Sequence, residues 1–373
     1  MTKPPPSLLA LVTDAYGGRG GIAQYNRDFL GAIAETNLVS SITILPRQTQ
    51  ETPQLPGGIR QLRAHSGRVG YSVAAIRTAL ARHFDLVFCG HLFMAPLAAL
   101  IARFKRAKLI VQTHGIEAWS CPSRIQRAAV EQADLVLSVS RHTRAAVLSW
   151  AAIAPERVLV MPNTVREMFR PGDGSAERAA MGLGDKQVLL TVGRMHSAER
   201  YKGHDRVITA IPGLVKQGHD ICYLVVGEGD DRVRLESLAA QTGVRDRVRF
   251  LGAVKPEILP EVYRAADLFL MPSTGEGFGV SFLEAMASGT PALGLDVAGA
   301  RDALGEGGLG SAVSEDELPS AIARLLNEPK RSGSLAAATC ARFGREPFEA
   351  NTLNVLKRAA SLDSESFVSS LYP

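Results

Sequence analysis

Two glutamates, Glu276 and Glu284, are the first candidates for chemistry, because they lie eight residues apart in a glycine-containing run after the apolar stretch 266–273. The pattern predicts Glu276 in a loop at the carboxyl end of a strand and Glu284 about two turns into the next helix, where parallel sheets bind ligands. A retaining glycosidase holds its two carboxyl groups roughly 5–5.5 Å apart, whereas eight residues of helix rise about 12 Å. The pair is therefore better explained as two separate hydrogen-bond acceptors for one long, hydroxyl-rich ligand. A solvated helix acid is the alternative for Glu284, although its neighbours are apolar.

A glycine-rich segment, residues 17–23, follows the first predicted strand and opens a helix. This arrangement presents backbone amides and a helix dipole to an anion. The segment also matches the dinucleotide-binding fingerprint through Gly18, Gly20 and Ala23. That fingerprint requires an acid at the end of the second strand, and this strand is followed by Arg47. The match to a dinucleotide site is therefore weak.

The Glu-x7-Glu pattern resembles the acid-x7-acid motif of retaining GT-B glycosyltransferases, specifically the large GT4 family. The resemblance implies that Glu276 and the amides after it hold the hydroxyls of a donor sugar, and that Glu284 holds the ribose of its nucleotide. The residues that supply those amides are Gly277, Phe278, Gly279 and Val280.

Further motifs of that family occur in the expected order. The family's Gly-Arg and Lys-Gly pairs are matched here by Arg194 and Lys202, which by resemblance neutralise the diphosphate leaving group in place of a metal. Such a pair acts mainly on charge that grows in the transition state. By the same resemblance, His114 lies near the anomeric carbon, and the loop with Gly20 and Gly21 approaches the donor diphosphate or the acceptor.

The spacing departs from the family at one point, since seven residues separate Arg194 from Lys202. Either Lys202 or Arg200 could then reach the phosphate, and Lys202 is favoured because the Gly-His-Asp that follows it matches the family's helix start. Asp230 and Asp231 lack the spacing of an Asp-x-Asp metal motif and are predicted to begin a helix. Neither a metal nor a cofactor is expected.

Two series of alternating strands and helices run along the chain, which indicates an α/β protein with parallel sheets. A chain of 373 residues is also long for one core. The resemblance implies a GT-B fold, with two Rossmann-like domains whose sheets face each other across a cleft. We place the acceptor domain at residues 1–165, the nucleotide-sugar domain at 166–345, and a helix crossing back onto the first domain at 346–373.

Composition favours a soluble protein of the reducing cytoplasm. The four cysteines are far apart and form no CxxC pair, so a disulfide framework or a zinc site is not expected. The first apolar run ends too soon at Asp14 for a signal peptide. Residues 86–102 are the best membrane-span candidate, but they contain His91 and Pro96, so we predict a buried strand, a turn and a helix.

Charge is divided unequally along the chain. Residues 1–165 carry 18 Lys and Arg against 9 Asp and Glu, a net of +9, and the remainder carries 24 against 28, a net of −4. The basic segment 103–108 could lie against anionic headgroups at the inner face of the membrane, or could be a solvated face. A nucleic-acid partner is not expected, because the cations are spread over several elements without interleaved aromatic residues.

The predicted function is a retaining, metal-independent glycosyltransferase. Its variant of the Arg-Lys motif and its basic first domain resemble bacterial exopolysaccharide and lipopolysaccharide mannosyltransferases, which implies GDP-mannose as donor and a polyprenyl-diphosphate-linked or other saccharide acceptor. A UDP-glucose or other UDP-sugar transferase is the close alternative. From other classes, a GT-B sugar-nucleotide epimerase and a non-catalytic lipid-binding protein remain open.

Overall fold

The structure is a computed structural model that describes residues 5–49 and 54–361. These residues form two compact units, the first made of 5–163 and 346–361 and the second of 164–345. The predicted segment 346–373 therefore lies partly outside the described residues, beyond residue 361. Each unit is a parallel β-sheet covered by helices, which confirms the predicted α/β class.

The first unit contains a seven-stranded parallel sheet. Its strands, in chain order, are β1 Ser7–Val12, β2 Ser41–Pro46, β3 Ile59–Gln61, β4 Leu86–Cys89, β5 Lys108–Thr113, β6 Leu135–Ser138 and β7 Val158–Val160. They lie in the order β3-β2-β1-β4-β5-β6-β7, so the sheet grows outward in both directions from the β1/β4 pair. The carboxyl ends at such a switch of direction leave a crevice where ligands bind.

The helices of the first unit cover its sheet. They are α1 Gly21–Glu35, α2 Arg68–Ala81, α3 Ala95–Lys105, α4 Ile116–Trp119, α5 Arg124–Glu131 and α6 Arg141–Trp150. Ser140 caps α6, since its hydroxyl accepts the backbone N–H of Thr143 at 3.2 Å. The last helix among the described residues, Arg345–Ser361, contributes Phe348, whose ring lies 6.2 Å from that of Tyr25.

The second unit repeats the plan with six parallel strands in the order β10-β9-β8-β11-β12-β13. They are β8 Gln187–Val192, β9 Ile221–Val226, β10 Val248–Gly252, β11 Leu268–Met271, β12 Ala292–Leu295 and β13 Ser311–Val313. Its helices are α7 Ser175–Ala180, α8 His204–Lys216, α9 Arg232–Gln241, α10 Leu259–Ala265, α11 Val280–Ala287, α12 Ala300–Ala303, α13 Leu318–Asn327 and α14 Ser332–Phe343. The helix at 345–361 is therefore α15. The switch of direction falls between β8 and β11.

Residues 86–102 form the predicted strand, turn and helix. β4 is wholly buried, a short 3₁₀ turn spans Leu92–Met94, and α3 begins at Ala95 with Pro96 in its first turn, where a missing backbone N–H costs nothing. Among the residues that the structure describes, no helix is both long and apolar enough to cross a membrane.

Candidate functional site

The site in the second unit is built where β8 and β11 end. After β8 the chain runs through Gly193 and Arg194 into a 3₁₀ segment, Ser197–Lys202, and α8 begins at His204. Gly203 joins the two with φ +78, and a Cβ there would lie 2.3 Å from the carbonyl oxygen of Pro272, which follows β11. Only glycine permits this approach, and it brings Lys202 against the segment that carries Glu276.

Lys202 and Glu276 meet there. The Lys202 Nζ lies 3.5 Å from Glu276 Oε2, and the two side chains are only 15% and 17% exposed. Glu276 Oε2 is buried and has no hydrogen-bond partner among the described residues. A buried carboxylate oxygen that accepts no hydrogen bond costs free energy. A ligand hydroxyl that donates to Glu276 Oε2 would remove that cost.

Arg194 and Arg200 point elsewhere. The Arg194 guanidinium forms an ion pair with Glu199, and its side chain is 71% exposed. Arg200 donates to the buried carboxylate of Asp231 at 2.9 Å, which Arg234 also holds at 2.6 Å. The cation beside Glu276 is therefore Lys202, as favoured by the sequence, while Arg200 belongs to an ion-pair cluster at the start of α9. Asp231 stands directly before that helix, as predicted.

The loop after Glu276 turns tightly into α11. Gly279 has φ +99, and a Cβ there would lie 2.5 Å from the ring of Phe282. Phe278 is buried against Phe343, with ring centroids 5.6 Å apart. The backbone N–H of Gly299 donates to the carbonyl of Glu276 at 2.9 Å. The loop is thus fixed from both sides, and the first amides of α11, starting at Val280, have no side-chain cap.

Glu284 is buried, not solvated. It lies in the second turn of α11, since the helix starts only at Val280, and it is 7% exposed. Tyr263 donates its hydroxyl to Glu284 Oε2 at 2.9 Å, and Arg166 Nη2 lies 3.8 Å from Oε1. Burial raises the pKa of Glu284 to about 7, although the Arg166 charge and the Tyr263 hydrogen bond both lower it. The carboxyl group is therefore balanced between its charged and neutral forms near neutral pH.

Sequence reasoning missed Tyr263 and Arg166. Both lie far from Glu284 in the chain, and neither belongs to a recognisable motif, so spacing gives no signal for them. Arg166 also stacks on Phe169, with its guanidinium carbon 5.3 Å from the ring centre. Their contact with Glu284 follows only from the fold, which places α10 and the segment before α7 beside α11.

In the first unit, the glycine-rich loop leads from β1 to α1. Gly20 stands directly before α1 with φ +92, and neither Gly20 nor Gly21 has another atom within 4 Å of a Cβ placed on it. Arg27 donates to the carbonyls of Ala15 and Gly18, both at 2.8 Å, which braces the loop from the helix. The amide end of α1 therefore faces open space, as an anion site requires.

His114 lies at the end of β5, in the same unit. Its Nε2 lies 2.9 Å from the carbonyl oxygen of Gly90, so that nitrogen carries the proton and Nδ1 is left as an acceptor. Burial lowers the pKa of His114, which keeps the ring neutral at pH 7. Glu117 accepts the backbone N–H of His114 at 2.5 Å. The spacing of three residues between them, as in a capping box, could have identified Glu117 from the sequence.

The structure thus places Arg194, Lys202, residues 276–280 and Glu284 in the second unit, and Gly20, Gly21 and His114 in the first. Within the described residues, no group of three or more His, Cys, Asp or Glu side chains could hold a metal ion.

Two family models match the chain. The one described as Glycosyltransferase Family 4 matches residues 19–167, and the one described as Glycosyl transferases group 1 matches residues 175–342. Each match therefore lies almost wholly within one of the two units.

Whole-chain relatives agree with the family models. A GDP-mannose-dependent alpha-(1-6)-phosphatidylinositol monomannoside mannosyltransferase of Mycolicibacterium smegmatis is 28% identical over 368 residues, covering 89% of this chain and 92% of that protein. A D-inositol 3-phosphate glycosyltransferase of Nocardia farcinica is 31% identical over 312 residues, covering 79% of this chain and 65% of that protein.

Solved structures show the same fold. The HepE protein of Anabaena in complex with UDP superposes with a TM-score of 0.77 at 19% identity, covering 94% of this chain and 99% of that one. Sucrose-phosphate synthase from Thermosynechococcus elongatus gives 0.76 at 22% identity, covering 95% and 100%. The fold is that of the GT-B glycosyltransferases, as predicted.

Proposed function

The chain belongs to the glycosyltransferases that combine a family 4 domain with a group 1 domain, and from that premise we propose that it transfers mannose from GDP-mannose, with retention of configuration, to a lipid-linked or other saccharide acceptor. In this proposal residues 1–165 and 346–373 form the acceptor domain and residues 166–345 the donor domain. The reaction serves the synthesis of a bacterial surface polysaccharide, on the inner face of the cell membrane.

The observation that carries the proposal is the pairing of Lys202 with Glu276. A cation 3.5 Å from a buried carboxylate whose Oε2 lacks a hydrogen-bond donor suits a ligand with hydroxyl groups beside a negatively charged group. A nucleotide sugar has both, since its sugar carries the hydroxyls and its diphosphate carries the charge. The glutamate would position the sugar, and the lysine would neutralise the phosphate next to it.

The other donor contacts follow from the same loop and helix. The amides from Gly277 to Val280 lead into the uncapped end of α11, where hydroxyl or phosphate oxygens would accept their hydrogens. The Glu284 carboxylate would accept both hydroxyls of the ribose. Arg194 is exposed on a flexible side chain, so it would exchange Glu199 for the diphosphate when the donor binds.

The residues of the first unit have complementary chemistry. The neutral His114 offers Nδ1 as an acceptor, which suits a sugar hydroxyl near the reacting carbon. The open amide end of α1 at Gly20 and Gly21 suits a phosphate of the donor or of the acceptor.

The proposed step needs no protein nucleophile. The acceptor hydroxyl oxygen bonds to the anomeric carbon as the bond from that carbon to the phosphate oxygen breaks, both on the same face of the sugar. The hydroxyl proton passes to the departing phosphate oxygen, and the products are the glycoside and the nucleoside diphosphate. Negative charge grows on the leaving diphosphate during this step, and Lys202 and Arg194 would stabilise it.

Donor and acceptor are supported by relatives. The mycobacterial proteins that resemble this chain over nearly all of their length are described as GDP-mannose-dependent, and their acceptor is a lipid. UDP-sugars are the second candidate donors, because solved structures of this fold bind UDP and UDP-glucose.

The test is product analysis with purified protein, GDP-mannose or UDP-glucose, and a membrane extract or defined lipid acceptor. We expect release of GDP that depends on acceptor, persists in excess EDTA, and yields an α-linked product by NMR. Release of UDP alone would reassign the donor, and a β-linked product would contradict retention. An altered donor sugar without acceptor would indicate an epimerase, and no turnover with any donor would favour a binding protein.

A further inference from the structure

Helix α2 is apolar on two faces. Tyr71, Ala75 and Ala79 face the core. On the outer face, four apolar side chains at helical spacing form a second stripe. They are Val69, Val73, Ile76 and Leu80, and they are 78%, 42%, 40% and 61% exposed. A surface helix normally places polar side chains on its outer face. A contiguous outer stripe of this kind marks a surface that contacts something else.

The two helices that follow on the same side of the sheet extend this stripe. α3 packs against both α2 and α5, and all three helices contribute to one hydrophobic core cluster. Their outer surfaces expose Leu100 and Phe104 on α3 and Ile125 on α5, at 59%, 65% and 71%. A shallow groove of about 220 Å³, lined in part by Leu100 and Ile125, separates α3 from α5.

Exposed arginines accompany these apolar side chains on the same three helices. Six exposed arginines on or directly after the three helices have no ion-pair partner among the described residues; they are Arg68, Arg77, Arg82, Arg103, Arg106 and Arg124. The acid on these helices is Glu131, and Arg127 already binds it at 2.8 Å. Lys108, the last residue of the basic segment 103–108, pairs with Asp134 at 3.4 Å. The free charge on this face is therefore positive.

We propose that the α2–α3–α5 face, defined by these seven apolar side chains and six arginines, docks on an anionic lipid bilayer. The apolar side chains would enter the boundary between headgroups and acyl chains, while the arginines bind headgroup phosphates. A second copy of the chain fits poorly, because a two-fold axis would place the arginines of one copy against those of the other. The docking proposal rests on the proposed function in one respect only: docking would bring the transferase to a lipid-linked acceptor.

Vesicle binding tests this proposal. Wild-type protein is mixed with vesicles of phosphatidylcholine alone or with 30% phosphatidylglycerol, over a range of salt concentrations, and bound protein is measured by flotation. An apolar variant replaces Leu80, Leu100 and Phe104 with Ser. A charge variant replaces Arg77, Arg103 and Arg124 with Gln. Matched controls in the second unit are Val233→Ser with Ile258→Ser, and Arg245→Gln with Lys255→Gln and Arg331→Gln, all at exposed positions.

We expect binding to anionic vesicles that falls as salt rises. The charge variant should bind about 100-fold more weakly, since each cation near such a surface contributes about 1 kcal/mol. The apolar variant should bind at least tenfold more weakly, and the controls should bind like wild type.

Three results would overturn the proposal. They are no binding of wild type at low salt, wild-type binding by the apolar variant, or a concentration-dependent dimer that the apolar variant abolishes in the absence of lipid. Nucleotide affinity and donor hydrolysis without vesicles should be unchanged in both face variants, which also shows that they are folded. If the wild-type protein binds vesicles but transfers no sugar, that result would contradict the proposed function and leave the docking proposal supported.

Discussion

Both units are parallel sheets covered by helices, but they differ in what their helices expose. Of the thirteen large hydrophobic side chains that are exposed among the described residues, eleven lie in the first unit, and only Val233 and Ile258 lie in the second. Helices α2, α3 and α5 of the first unit carry arginines that have no ion-pair partner among the described residues, whereas many cations of the second unit pair with acids, as Arg178 does with Asp267 and Arg206 with Glu315. The same α/β architecture therefore exposes helices suited to contact a partner in the first unit, and it holds the proposed donor site in the second.

The buried titratable groups among the candidate site residues also differ between the two units. The second unit buries an acid, Glu284, and burial raises its pKa to about 7. The first unit buries a base, His114, and burial lowers its pKa. Burial disfavours the charged form in both cases, so near pH 7 His114 is neutral while Glu284 is divided between two forms. Of these two groups, only Glu284 should make donor binding respond to pH near 7.

The largest expected effect tests whether turnover at the proposed donor site of the second unit depends on one cation. Replacing Lys202 with Ala should lower kcat by about 10²–10³-fold, because it removes a charge placed to stabilise the leaving diphosphate. Arg200→Ala is the matched control and should lower kcat less than tenfold, since Arg234 still holds Asp231. Steady-state kinetics with GDP-mannose measures both. Equal losses in the two variants would contradict the assignment of Lys202 over Arg200.

The two glutamates should fail in different ways. Glu276→Ala should lower kcat by roughly 100-fold with little change in nucleotide affinity, because in the proposed function Glu276 positions the reacting sugar. Glu284→Ala should weaken GDP binding by about 1–3 kcal/mol through a lost buried hydrogen bond, with a smaller change in kcat. Calorimetry with GDP separates the two roles. Wild-type GDP affinity in Glu284→Ala would remove the ribose role.

The core strands and the glycine loops could be predicted from the sequence, because a parallel strand buried on both faces is a continuous apolar run. The apolar runs 221–226, 268–271 and 292–295 of the sequence form β9, β11 and β12, with the bounds Ile221–Val226, Leu268–Met271 and Ala292–Leu295. Three edge strands, β3, β7 and β13, were missed, since three residues show no periodicity.

Contacts of the site were harder to predict than its motifs. The partners of Glu284 lie far from it in the sequence, and the ion pair of Lys108 with Asp134 joins two elements. The outer stripe of α2 was also missed, because a charge count does not reveal which apolar side chains are exposed. Motifs are local in the chain, whereas burial and pairing depend on the complete fold.

A pair of glycines with the same φ compares the packing of the two units. Gly58 in the first unit and Gly203 in the second both have φ +78, but a Cβ on Gly58 meets no atom within 4 Å, while one on Gly203 would overlap the Pro272 carbonyl oxygen. Gly58→Ala should lower the free energy of unfolding by about 1–2 kcal/mol through backbone strain alone.

Gly203→Ala should cost about 1–3 kcal/mol more than Gly58→Ala because of overpacking, and should also lower kcat by moving Lys202. Denaturant unfolding and kinetics measure both variants. Equal stabilities would mean that the approach of Gly203 to Pro272 does not constrain the site.

The smallest effect concerns pH and follows from the contrast between Glu284 and His114. With a pKa of about 7, Glu284 is mostly protonated at pH 6 and mostly ionised at pH 8. If ribose hydroxyls donate to the ionised carboxylate, as proposed, GDP affinity should rise by up to about tenfold between these pH values and level off above pH 8.

The contribution of Glu284 to stability changes with pH in the opposite direction to its contribution to GDP affinity. The unfolded state ionises near the ordinary pKa of 4.5, below the folded value, so this group lowers the free energy of unfolding as pH rises from about 4.5 to 7. Glu284→Gln should remove the affinity slope and the Glu284 contribution to the stability slope. It also corrects for the titration of GDP itself, because the nucleotide is the same in both proteins. His114 stays neutral in the folded protein and should add no slope to GDP affinity between pH 6 and 8. It should add an opposing slope to stability, because its folded pKa is lowered while the unfolded ring takes up a proton below its ordinary pKa of 6.5. An affinity that falls toward pH 8, or an affinity slope that persists in Glu284→Gln, would show that Glu284 does not bind the nucleotide in its ionised form.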